Sequence, residues 1–227
     1  MSAYDLHVYT SHTIGENSLE EMASFAKRLG FLGIGVVRFH TDPKKELPKT
    51  DIDLVDVVLI KADKNIEEIA SSIRKEAEII AVYGGNYEIN RQACESKYVD
   101  ILFHPEFGRN DSGLDHICAR AAHDSNTAIE INVREIIESY KKGRTRVLLS
   151  MKRNIMLCKK YGTNIITTSS ALSKWNMRSG RELASISYLL GLELGNAIDT
   201  VGKIPEEIVK INREKLMQKR FEGVIEE

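Results

Sequence analysis

At 227 residues, with 42% apolar and 29% charged side chains, the chain is long enough to build one self-sufficient core and too apolar to stay disordered. No apolar run approaches membrane-helix length, and the start Met1-Ser-Ala-Tyr-Asp-Leu-His7 offers neither the basic nor the apolar stretch of a leader, so a cytoplasmic protein with no membrane partner is expected. The net charge of −1 hides an uneven distribution: residues 134–160 hold nine Lys/Arg against two Asp/Glu, whereas residues 1–133 hold 14 against 22.

Tyr4–Tyr9 reads as a first strand. Ser18 and Glu21 form an S-x-x-E capping box ahead of Leu19, Met22, Ala23, Ala26 and Leu29 at helical spacing, with Gly30 where a helix-ending glycine belongs. Ile34–Phe39 and Val55–Lys61 are further strands. Asn65 is placed to cap a helix carrying Ile66, Ile69, Ala70 and Ile73. A strand at Ile79–Tyr83 ends in Gly84-Gly85, a short helix covers 87–95, and Asp100–Phe103 is strand again. Ser112 and Asp115 resemble an N-cap pair before a helix with Leu114, Ile117, Ala121 and Ala122. Ala128–Asn132 is a sixth strand, followed by a helical stretch at Arg134–Ser139, a polar loop at Lys141–Thr145 and a helix at Val147–Tyr161. Asn164–Thr168 is a seventh strand and Gly180–Leu190 a helix stopped by Gly191. Leu194–Asp199 is ambiguous, Pro205 suits the first turn of a last helix, and the tail from Lys219 is expected to fray.

Strand–helix units repeated seven or more times imply a parallel sheet. That count favours a single-domain (β/α) barrel over residues 1–227, with seven to eight mainly parallel strands ringed by helices, rather than an open sheet. No Gly-x-Gly-x-x-Gly, Walker A or Gly-x-Ser-x-Gly sequence is present. Cys94, Cys118 and Cys158 lie far apart and form no C-x-x-C, which points to reduced thiols rather than a zinc knuckle.

Barrel enzymes work at the C-terminal ends of their strands. Here those ends carry His7, Tyr9, Thr10 and His12; Arg38 and His40; Lys61; His104 and Glu106; Glu130 and Asn132; and Thr168, Ser169 and Ser170. Such a ring serves either a site or the hydrogen bonding of the barrel mouth. Asp5-Leu6-His7-x-Tyr9-Thr10 resembles the opening strand of the polymerase-and-histidinol-phosphatase (PHP) superfamily, normally Asp-Leu-His-x-His-Thr. Thr168-Ser-Ser-Ala-Leu172 stands where that superfamily has Ser-Asp-Ala-His. His104-Pro-Glu-Phe-Gly-Arg-Asn-Asp-Ser-Gly-Leu-Asp-His116, Ala128-Ile-Glu-Ile-Asn132 and Ser169-Ser-Ala-Leu-Ser-Lys-Trp-Asn-Met-Arg-Ser-Gly180 narrow the likeness. In this order and spacing they resemble the archaeal ribonuclease P protein component 3 family, counterpart of the eukaryotic thirty-kilodalton subunit, over about residues 3–217.

A PHP phosphoesterase needs several closely spaced metals held by histidines and carboxylates. Tyr9, Ser170 and Leu172 stand at ligand positions, leaving only His7, His104 and Glu130. A metal-dependent phosphoesterase is therefore the alternative reading and a bound metal is not expected. Ser169 or Ser170 with His7 as nucleophile and base lacks a fixed orienting acid.

The resemblance implies a subunit of the endoribonuclease that matures the 5′ ends of tRNA. The catalysis is expected from the RNA and its Mg²⁺, with no cofactor bound by this chain. Partners implied are the ribonuclease P RNA, precursor tRNA, protein component 2 directly, and components 1 and 4 in the holoenzyme. The role requires cations facing phosphates. Two groups qualify: Arg38, His40, Arg109, His116, Arg178 and Arg181 on loops after strands, and Lys141, Lys142, Arg144, Arg146, Lys152, Arg153, Lys159 and Lys160 in the basic window. Arg146, Arg153 and Lys160, spaced by seven, share a helix face; the same run also fits a merely solvated face. Lys44, Lys45 and Lys49 form a weaker patch. The acidic first half, with Glu20, Glu67 and Glu68, is expected to face protein.

Overall fold

The computed structural model describes residues 3–44, 46–61, 64–217, 220–221 and 224–225. Seven strands lie in the order of the chain: β1 (Tyr4–Val8), β2 (Gly33–Phe39), β3 (Asp53–Ile60), β4 (Ile79–Tyr83), β5 (Ile101–Phe103), β6 (Ala128–Asn132) and β7 (Ile165–Thr168). Every adjacent pair is parallel. Strands this apolar, such as Val55–Ile60 within β3, must be covered on both faces. Leu6, Val57, Leu59, Ile79, Ala81, Ile101, Phe103 and Ile166 fill the inside. Val58, Ile60, Ile80, Val82, Leu102 and Ile129 point outward to the helices.

The sheet nearly closes on itself. Val8 bridges Ala171 in parallel, and the Tyr9 amide donates to the Ala171 carbonyl at 2.9 Å. Asp5, fully buried in β1, reinforces the seam: its carboxylate accepts from the Ser169 amide at 3.1 Å and from the Ser169 hydroxyl. Burial pushes the Asp5 carboxyl up to about 7, against the pull of those Ser169 hydrogen bonds.

The connecting helices are α1 (Leu19–Arg28), α2 (Ile66–Ile73), α3 (Tyr87–Glu95), α4 (His116–Ser125), α5 (Val133–Glu138), α6 (Lys142–Tyr161), α7 (Gly180–Leu189), α8 (Leu194–Asp199) and α9 (Lys203–Leu216). The Ser18–Glu21 capping box forms as expected. Helix α9 plugs the N-terminal end of the barrel. Its Val209 joins the inner cluster, while Arg213 donates to Asp53 at 2.8 and 2.9 Å and to Glu78 at 3.0 Å at the starts of β3 and β4. At the opposite, C-terminal mouth α5 starts directly from the end of β6, with the Arg134 guanidinium 5.9 Å from the centre of the Tyr9 ring and Glu135 Oε1 3.4 Å from His104 Nδ1. Cys94, Cys118 and Cys158 are buried free thiols between barrel and helices.

Three local expectations are corrected and one ambiguity is resolved. Lys141–Thr145 is not a loop: α6 begins at Lys142, because Lys141 turns the chain at φ 46° and the Arg144 guanidinium caps α5 at the carbonyls of Ser139 (3.0 Å) and Ile137 (3.1 Å). Asp115, not Ser112, caps α4, accepting from the Cys118 amide at 2.8 Å, so His116 is the first helical residue. Asn65 takes a left-handed conformation and its side chain caps nothing; Gln92 accepts from the Ile66 amide instead, at 3.3 Å. Leu194–Asp199 is helical. The tail from Lys219 lies mostly outside the described residues; within it Arg220–Phe221 pairs antiparallel with Val224–Ile225.

Candidate functional site: a sealed barrel mouth and a basic flank

At the C-terminal mouth the polar residues close on one another. Glu130, fully buried on β6, accepts four hydrogen bonds: His7 Nδ1 at 2.6 Å and Thr168 Oγ1 at 2.5 Å on one oxygen, the His104 amide at 3.1 Å and Asn132 Nδ2 at 3.2 Å on the other. Burial works to raise its pKa, but the charges of His7 and His104 and the His7 and Thr168 hydrogen bonds bring it down to about 2. Burial drives His7 the other way, down to about 4, so its imidazole is neutral at pH 7. The Nδ1-protonated tautomer satisfies both neighbours: Nδ1 donates to Glu130 and Nε2 faces the Ser170 hydroxyl at 3.4 Å. Phe103 stacks on the ring with centroids 3.8 Å apart.

His7, His104 and Glu130 bring ligand atoms within 4.8 Å of one another. They do not fit a multi-metal hydrolase centre. Two imidazoles and one carboxylate are too few, both Glu130 oxygens are already engaged, and Leu172 packs against the barrel's inner cluster where such a centre needs a donor. The ring of polar strand ends that the sequence reveals is chiefly a hydrogen-bonded seal. Glu106 departs furthest from that seal: it is 5% exposed with neither oxygen hydrogen-bonded, and burial first, then the charges of Glu130 and Glu135, push it up to about 8.

The basic residues take three arrangements. Arg38 is committed within the fold, donating to Asp56 at 2.8 and 3.1 Å and to the Asp42 carbonyl at 3.2 Å; His40, at the end of β2, keeps a buried Nδ1 without a partner. Arg178 and Arg181 sit at the start of α7, where Arg178 donates to the carbonyls of Trp175 and Met177 at 2.9 and 2.8 Å and Arg181 is exposed. The third arrangement brings distant sequence together. Helix α6 lies against the β5–α4 loop, so Lys142, Arg146 and Arg153 line one cleft with Asn110 and Asp111, and Arg146 donates to Asn110 Oδ1 at 2.7 Å. Arg109 projects from that loop, held by Asp111 at 2.6 and 2.8 Å. His116 is exposed at the start of α4, next after the loop. Lys141, Lys142, Arg144, Arg146, Lys152, Arg153, Lys159 and Lys160 are all exposed along α6 and its leading turn.

Sequence reading missed what fixes this cleft. Ser150 donates to the Asp111 carbonyl at 3.2 Å, and buried Asn154 Nδ2 to the Ser112 carbonyl at 2.9 Å. Their i, i+4 spacing between basic positions is the one sequence signal that they share an inward face. Gly113 completes the loop at φ 70°, where a Cβ would stand 1.8 Å from the Pro105 carbonyl oxygen.

The described residues form a nearly closed parallel (β/α) barrel, its mouth filled by buried, hydrogen-bonded polar side chains and its α6 flank cationic. The family model for RNase P subunit p30 matches residues 2–216. Ribonuclease P protein component 3 of Methanococcoides burtonii is 34% identical over 93% of this chain and 89% of its own length, and that of Methanosarcina barkeri 31% over 88% and 85%. The chain belongs to the RNase P subunit p30 family. Among solved structures, one of archaeal ribonuclease P with mature tRNA contains a chain that superposes with a TM-score of 0.78 at 25% identity, covering 97% of this chain and 96% of that one. The zinc-bound histidinol phosphate phosphatase of Lactococcus lactis matches at TM-score 0.57 and 11% identity, over 85% and 95%, a likeness of fold alone.

Proposed function

We propose that this member of the RNase P subunit p30 family assists a catalytic RNA in endonucleolytic removal of 5′ leaders from precursor tRNA. The RNA supplies the chemistry with its own Mg²⁺. This chain supplies positive charge and shape through the cleft between α6 and the β5–α4 loop. The observation that carries the reading is the convergence of Lys142, Arg146 and Arg153 on one cleft against the β5–α4 loop, where Arg109 neutralises the cleft's Asp111, in a protein whose net charge is only −1. Cations gathered this way neutralise closely spaced phosphates and release their counterions. His116, first residue of the helix after the β5–α4 loop, and exposed Arg181 at the start of α7 are proposed as further phosphate contacts; Arg38, tied to Asp56, and Arg178, tied to the Trp175 and Met177 carbonyls, contribute less. Protein component 2 is proposed as the direct partner, with components 1 and 4 completing the holoenzyme in the cytoplasm. Among the described residues no helix is long and apolar enough to cross a membrane.

The test is omission. Precursor-tRNA cleavage is reconstituted at low Mg²⁺ from the matched RNA and component 2, with and without this chain. Leader removal is expected to fall steeply without it and to recover as Mg²⁺ rises. Equal cleavage in both mixtures, with component 2 shown to be folded, overturns the reading.

A further inference from the structure

Tyr140 is 72% exposed, although burying an aromatic ring is favourable. It is held out on a firmly built turn. Its carbonyl accepts from the amides of Gly143 at 2.9 Å and Arg144 at 3.4 Å. Lys141, next in the chain, takes φ 46°, a conformation that persists in a non-glycine residue only where the surroundings impose it. The Arg144 guanidinium, anchored on the Ser139 and Ile137 carbonyls, imposes it from the other side. Lys141 Nζ lies 5.2 Å from the centre of the Tyr140 ring, within cation–π range.

Two residues beyond Tyr140 begins the cleft, about 470 Å³ in volume, whose lining includes Asn110, Lys142, Arg146, Leu149 and Arg153. Asp111, the one acid among its lining residues, is already engaged by Arg109 and by the Gly113 amide at 2.9 Å. The charge left for a ligand is positive. Leu149, 62% exposed within the cleft, adds apolar surface beside the cations.

We propose that Tyr140 is a stacking platform for one unpaired nucleobase of RNA whose adjoining phosphates lie in the α6 cleft. The proposal rests on the reading of this flank as RNA-binding and adds the kind of RNA it takes. An A-form duplex hides its base faces and is met through phosphates, 2′-hydroxyls and base edges, none of which takes a stacked ring. An exposed ring on a hydrogen-bonded turn, flanked by cations, matches a loop or bulge nucleotide, whose exposed base face and phosphate are recognised together.

The experiment measures affinity of the complete subunit, assembled with its protein partner, for ribonuclease P RNA and for precursor tRNA separately, across a salt series, with chemical probing of the RNA at nucleotide resolution. Tyr140→Ala is expected to weaken one of the two RNAs about five- to hundred-fold. The slope of log affinity against log salt should stay unchanged, and one unpaired nucleotide should lose protection. Tyr140→Phe, which keeps the ring and loses only the hydroxyl, should bind within about twofold of the parent, since stacking uses the π face. Lys142→Ala and Arg146→Ala should instead lower the salt slope by about 0.7–0.9 each. If those two act and Tyr140→Ala binds both RNAs as the parent does, the stacking proposal fails while the RNA flank stands. Loss of the protein partner rather than RNA in Tyr140→Ala also overturns it. If none of the three substitutions alters RNA binding, the assignment of this flank fails with it.

Discussion

Glu106 shows how far burial changes one residue. In an unfolded chain its carboxyl ionises near 4.5, whereas in the barrel it holds its proton up to about 8. Between those values the folded state binds one more proton than the unfolded state, so this residue makes stability fall as pH rises, by up to about 1.4 kcal/mol per unit. Its contribution is intact below pH 4.5 and is lost progressively toward pH 8. Glu106→Gln keeps the neutral form at every pH. Urea unfolding at pH 5 and pH 8 should show the variant gaining on the parent as pH rises; a constant difference would mean that Glu106 is ionised and solvated. Glu130 stands under the opposite regime. Its four hydrogen bonds keep the carboxylate charged inside the same mouth, although both residues are fully enclosed. The sequence shows two glutamates near strand ends; only the donors around each separate a buried acid from a buried carboxylate.

At the scale of elements, helix α6 orders the flank. Its inward residues Ser150 and Asn154 take the carbonyls of Asp111 and Ser112, while its outward residues carry the charge. Asn154→Ala removes the donor to a buried carbonyl and is expected to cost about 1–3 kcal/mol in chemical unfolding. Amide exchange should quicken in residues 109–114 before it does in the strands. Unchanged exchange in that loop would show that Gly113 and Asp111 hold it without the helix. The register of α6 was half legible. The spacing of Arg146, Arg153 and Lys160 announces one face, but the polar run before Val147 reads as loop by composition. It becomes helix because Arg144 caps the preceding α5, a contact set by how two helices meet.

Across the whole molecule, the densest run of cations and one run of acids fall on different helices. The α6 flank is cationic; Glu20 on α1 and Glu67 and Glu68 on α2 are exposed on connections from other strands. In strand order α6 joins β6 to β7 and α2 joins β3 to β4, so the acidic helix lies around the barrel from the basic one. Glu67→Lys with Glu68→Lys is expected to weaken assembly with the protein partner and to leave the salt slope of RNA binding unchanged. Intact assembly would place the partner elsewhere.

Amphipathic spacing and apolar strand runs determined the order of elements and favoured a barrel of seven to eight mainly parallel strands, because those patterns are local and repeat with the period of each element. The Asp-Leu-His opening, the later motifs and their spacing determined the family. What only the tertiary structure decided is which polar residues meet. His7, Glu130 and Ser170 are far apart in sequence, and whether they hold a metal or seal one another depends on distances of a few ångströms that no spacing encodes. Arg38 and Arg146 are both arginines near strand ends or helix starts. One faces an aspartate on the neighbouring strand and the other an open cleft, and that difference arises only when the strands are laid side by side.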